Sequence, residues 1–163
     1  MRTDGAKVHV YPGWTAKVSR EGVVVLTDTS GEVRARWSHS PNSDAQIAQA
    51  SRFHRTGRYE VEVPGIGSAV VDNGRSKPRR RHHFDGFIEL VGRRYEVVHL
   101  SRRRTELRRD ASLVARFRSG RGGRAHLLED RARDETDRLV MGLVLAAVGV
   151  GRPGWLEMQL EGL

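Results

Sequence analysis

Residues 139–150 (LVMGLVLAAVGV) contain no charge and no side-chain hydrogen-bonding group. No other stretch of the chain restricts its possible folds as much. Twelve residues are too few to cross a bilayer, which needs about 20, and runs of about 10–14 are more often buried core helices. The flanks have the order of helix ends. Asp134, Glu135 and Asp137 come before the run, where carboxylates cap free backbone N–H groups and favour the positive end of the helix dipole. Gly149, Gly151 and Pro153 come at its end, in the usual order of a stop. A surface helix would show a polar face, and this one shows none. The sequence therefore predicts a helix over about 134–150, enclosed on all sides. Gly142, Ala146 and Gly149 fall at i, i+4 and i+7, a stripe of small residues that admits close backbone approach. A buried strand is the competing reading, since period alone does not separate the two; the length and the acidic start favour the helix.

The rest of the chain reads as short strands. Residues 7–11, 15–19 and 22–28 are apolar-rich segments punctuated by Pro12-Gly13 and Arg20-Glu21. Residues 33–37 (VRARW) and 58–63 (RYEVEV) alternate apolar and charged residues, the period of a half-buried strand. Residues 44–52 are expected to form one or two helical turns or an ordered loop. Residues 84–90 and 93–100 form a hairpin turning near Val91-Gly92. Residues 105–109 and 112–118 form the next pair around Asp110-Ala111, with Leu113, Ala115 and Phe117 on one face. Residues 124–130 are a further strand, and 155–160 a terminal one.

An internal echo supports hairpins rather than βαβ units. Val18-Ser19-Arg20 leads to Asp28 and then to 33–37 (VRARW). Leu100-Ser101-Arg102 leads to Asp110 and then to 113–117 (LVARF). About ten short strands with frequent turn signals predict a mainly β fold. The expected form is an antiparallel β-barrel or roll enclosing the apolar C-terminal helix. A barrel of that size has room to spare, since about eight strands are just filled by their own side chains.

This layout resembles the tubby C-terminal-like superfamily, which includes the LURP-one-related proteins and phospholipid scramblases. The resemblance rests on the successive hairpins of residues 84–130 followed by DETDRLVMGLVLAAVGV. It implies one domain over 1–163 with a helix threaded through a barrel. It also implies a non-enzymatic role in which basic residues engage phospholipid head groups. The cysteine-rich segment of scramblases is missing, and no binding residue carries over by motif.

With 37% apolar and 30% charged residues, the 163-residue chain has material for one core under a charged surface. Residues 1–10 lack the apolar stretch of a secretory signal. A cytoplasmic location, or a peripheral one at the membrane, is expected. Absence of cysteine excludes disulfides and thiolate metal sites. Phosphate-binding loop, dinucleotide and zinc-protease motifs are all missing. His82-His83 with Asp85 would need a loop to converge on a metal, because adjacent strand side chains point to opposite faces. Asp85, Glu89 and Glu96 only loosely suggest a nuclease cluster. Neither a cofactor nor a metal is expected.

Net charge is +9, carried by 26 arginines and three lysines. Codon usage explains such a skew as readily as function does. The functional reading is a field that attracts anions. Arg79, Arg80 and Arg81 precede the first strand of the 84–100 hairpin, and Arg102, Arg103 and Arg104 follow its second, so both tracts are expected at one end of the sheet. Guanidinium forks match phosphate oxygens in bidentate fashion, which makes these six the candidate anion-binding residues. Two other readings stay open: a basic nucleic-acid-binding module, and a scaffold or protein-interaction protein with no small ligand.

Overall fold

The computed structural model describes residues 7–11, 13–19, 21–38, 58–74, 81–120 and 125–150, with 7–11, 83 and 84 described by backbone alone. The expected segments at 44–52 and 155–160, and Arg79 and Arg80, lie outside the described residues. The fold is mainly β, with eleven strands in one antiparallel sheet whose spatial order is the chain order. They are β1 (Lys7–Tyr11), β2 (Trp14–Val18), β3 (Val23–Thr27), β4 (Val33–Ser38), β5 (Arg58–Val63), β6 (Gly67–Asp72), β7 (Gly86–Leu90), β8 (Arg93–His99), β9 (Arg104–Arg109), β10 (Ser112–Ser119) and β11 (Ala125–Asp130).

Alternation along each strand builds one apolar face. In β5, Tyr59, Val61 and Val63 are buried while Arg58, Glu60 and Glu62 are exposed. Register then stacks inward residues across strands: Tyr59 beside Val71, Val71 beside Ile88, and Ile88 beside Tyr95. The two echoing segments fold as equivalent hairpins. Asp28 and Asp110 both lie in connecting turns, and Trp37 and Phe117 are both buried. The expected shared face of Leu113, Ala115 and Phe117 is only partly right. A bulge at Val114 breaks the period, so Leu113 pairs with Arg108 on the outer side while Val114, Ala115 and Phe117 are buried.

Helix α1 (Glu135–Leu143) continues into a wider turn, Val144–Val148, closed by an N–H of Gly149 on the carbonyl of Val144 at 2.7 Å. Gly149 stops it at φ 86°. Asp134 is the N-cap, its Oδ1 accepting from the Asp137 N–H at 2.9 Å. Leu139, Val140, Met141, Leu143, Val144, Ala146, Ala147 and Val148 are all buried. The partners come from widely separated strands. A Cβ at Gly142 would stand 3.1 Å from the Trp14 ring of β2 and 3.2 Å from Leu26 of β3. Tyr59 of β5 donates to the carbonyl of Ala147 at 3.1 Å, and Tyr95 of β8 donates to Asp137 at 2.6 Å. No helix among the described residues is long and apolar enough to cross a membrane.

The sheet is not closed into a barrel. Strands β1 and β11 come near one another, yet no ladder joins them among the described residues. Parity gives the reason. In an antiparallel meander of eleven strands the first and last run in the same direction, so the antiparallel pairing used everywhere else is not open to them.

Candidate anion-binding end

The helix gives the sheet two distinguishable ends. Its start is held by Arg93, the first residue of β8, through Asp134; its finish lies against Tyr59, near the start of β5. The upper end, where α1 finishes, therefore carries the start of β7, the end of β8, the start of β9 and the end of β10.

At the upper end Arg81 opens a 3₁₀ turn (Arg81–Phe84) leading into Asp85. The Asp85 carboxylate accepts the N–H of His99 at 2.8 Å, which ties this turn to the end of β8. Burial raises the Asp85 pKa above the ordinary range, opposed mainly by that N–H. The connection from β8 to β9 is pinned on several sides. Leu100 N–H donates to the Arg104 carbonyl at 2.9 Å, Arg103 N–H to Ser101 Oγ at 3.2 Å, and Ser119 N–H to the Arg103 carbonyl at 2.7 Å. Arg81 is half-buried, and Arg102, Arg103 and Arg104 are exposed. The structure thus brings Arg81 to the same end as Arg102–Arg104, as the hairpin argument required.

One residue belongs with these that sequence reasoning missed. Arg118 of β10 stands directly opposite Arg104 of β9 and is also exposed. Like charges directly opposite on a sheet are destabilising. The next rung on the same face shows the ordinary arrangement, in which Glu106 stands opposite Arg116 and accepts from it at 3.1 Å. Glu106 also takes a hydrogen bond from Arg108, and Arg116 reaches Glu129 at 3.2 Å. Burial pushes the Glu106 carboxyl up, but Arg108 and Arg116 together hold it below its usual value. Arg94 is likewise paired with Glu89 at 3.0 Å, and Arg131 with Glu129 at 2.7 Å. By contrast, Arg103, Arg104 and Arg118 have no carboxylate within 4.0 Å among the described residues. Arg94, Arg108, Arg116 and Arg131 are thus neutralised in place, while Arg103, Arg104 and Arg118, clustered at the upper end, are not.

The lower end carries a different network. Asp137 is fully buried, and its Oδ1 accepts from Tyr95 at 2.6 Å and from Arg109 at 3.1 Å. Its Oδ2 accepts the Arg133 N–H at 2.9 Å. Arg93 bonds Asp134 at 2.8 Å and reaches Asp137 at 3.4 Å. Two guanidiniums balance two carboxylates, and the helix start is locked to β8 and β9. The Asp137 N–H and Arg93 hold the Asp134 carboxyl below the ordinary range. Burial and the bond to Asp137 raise the Tyr95 pKa, so its phenol stays a proton donor. These bonds tie the helix start to the sheet.

No group of three or more metal-ligating side chains occurs among the described residues. The carboxylates weighed as a nuclease cluster are engaged separately, Asp85 by His99 and Glu89 by Arg94. Comparison of the chain with protein-family models, with curated proteins and with solved structures gave no match.

Proposed function

We propose that this chain is a non-enzymatic binding domain of tubby or LURP-one-like layout whose upper end engages the phosphates of anionic lipid head groups. In this reading the sheet rolls around α1, with β1 and β11 as the seam. The reach of helix contacts from Trp14 and Leu26 to Tyr59 and Tyr95 supports such a roll. The binding site takes in Arg81 and Arg102–Arg104, and with them Arg118.

The observation that carries the reading is the Arg104–Arg118 rung. Two exposed arginines stand opposite each other with no carboxylate within 4.0 Å among the described residues, while the next rung on the same face, Glu106–Arg116, is paired. A phosphate bridging the forks would relieve that repulsion.

Co-sedimentation with phosphatidylserine-containing and with pure phosphatidylcholine vesicles tests this. The chain should bind the former, more weakly as salt rises. Arg103→Ser, Arg104→Ser and Arg118→Ser together should reduce binding at least about tenfold, the loss of one or two charge-assisted contacts. Equal binding to both vesicles, undiminished binding by the triple variant, or preferential binding to duplex DNA would overturn the reading.

A further inference from the structure

We infer that Leu100 is a membrane-inserting residue, so the upper end docks on a bilayer surface rather than capturing a soluble phosphorylated molecule. This rests on the anionic-lipid reading above and adds the occupant's physical state to it. Four large apolar side chains are strongly exposed among the described residues: Ile66, Val91, Leu100 and Leu128. Ile66 and Val91 sit in turns at the lower end, and Leu128 sits within β11. Leu100 alone shares its turn with the exposed arginines. It is 43% exposed, and its own N–H closes the turn on the carbonyl of Arg104.

That juxtaposition has a specific physical consequence. A leucine left in water amid guanidiniums gains nothing from a soluble phosphate. At a bilayer the same turn satisfies both groups. The guanidiniums stay at the depth of the phosphates, and the apolar side chain enters the headgroup/acyl boundary, where the apolar faces of interfacial elements sit about 5–10 Å deep. The hydrogen bonds on Leu100, Arg103 and Ser119 hold the turn before docking, so little ordering entropy is lost on binding.

The chain has no cysteine, so Leu100→Cys offers a unique labelling site. With an environment-sensitive fluorophore there, phosphatidylserine vesicles should shift emission to the blue, and nitroxide-labelled acyl chains should quench it. The same label at Leu128→Cys should remain in water. Leu100→Ser, a change at an exposed position, should melt like the wild type and partition about fivefold more weakly, the share of a leucine's transfer energy matching its exposed fraction. Vesicle binding with an unshifted label at position 100, or unchanged partition of Leu100→Ser, would overturn the insertion and leave the head-group reading standing. No vesicle binding at low salt would overturn both.

Discussion

The phenol of Tyr95 on β8 and the carboxylate of Asp137 on α1 meet at 2.6 Å inside the structure. This bond, with Arg109 and Arg93 around it, sets the depth at which the helix enters the apolar face. Removing the phenol by Tyr95→Phe leaves a buried carboxylate short of one donor. The variant should lose about 1.5–3 kcal/mol of stability, the usual worth of a hydrogen bond to a charged group. Urea unfolding measures this, and a loss within error of zero would show that the guanidiniums suffice without it.

Gly142 lies under the Trp14 ring and Leu26. A valine there forces its branch into two buried side chains that have no room to retreat. Gly142→Val should cost about 1–3 kcal/mol, as overpacking in a filled core does. A thermal melt equal to that of the wild type would mean the ring can move aside.

Leu143 is fully buried in the middle of the apolar run. Leu143→Asp places an unpaired charge among apolar residues, a penalty larger than the whole stability of a typical domain if the group stays ionised. The variant should fail to accumulate as a folded protein. A soluble form with a cooperative melt would refute this.

Acid should unfold the protein through Asp134 and Glu106. Both carboxyls are held below their ordinary values in the fold, Asp134 by the Asp137 N–H and Arg93, Glu106 by Arg108 and Arg116 against the effect of burial. As pH falls the unfolded chain therefore takes up these protons first. The stability they contribute is complete above about pH 5 and is lost as pH drops through about 4 and below. Asp85, raised by burial, works in the opposite sense: its contribution is lost as pH rises through its folded value. Urea midpoints from pH 7 to 3 should show the acid loss in the wild type. Glu106→Gln should be less stable at pH 7 and flatter across the range; an identical slope would assign the acid transition elsewhere.

Arg104→Glu turns a like-charged rung into an ion pair with Arg118. Stability should hold or rise by up to about 1 kcal/mol, as an opposite-charge cross-strand pair contributes. Binding to phosphatidylserine vesicles should fall at least about tenfold. Gain in one and loss in the other would separate the site from the fold, and retained binding would remove Arg104 from the site.

Much of the architecture is written in local pattern. Period-2 alternation in RYEVEV is enough to say that Tyr59, Val61 and Val63 turn inward, and the uncharged run is enough to say that Leu139–Val144 are buried, while the charged first turn of α1 keeps Glu135 and Arg138 exposed. The same local reading placed Arg81 and Arg102–Arg104 at one end, because a hairpin returns the chain to where it began. Arg118 could not be found that way. Were the register to run on through Val114 without a bulge, Arg104 would stand opposite Phe117; the bulge shifts it by one and brings Arg118 there instead. Nor could the partners of Asp137, which reads as an ordinary helix-start carboxylate until β8 and β9 deliver Tyr95 and Arg109 to it. Periodicity belongs to a single strand and is carried by its own side chains. Register and buried charge pairing are relations between distant segments, decided only when backbone hydrogen bonds align one strand against the next.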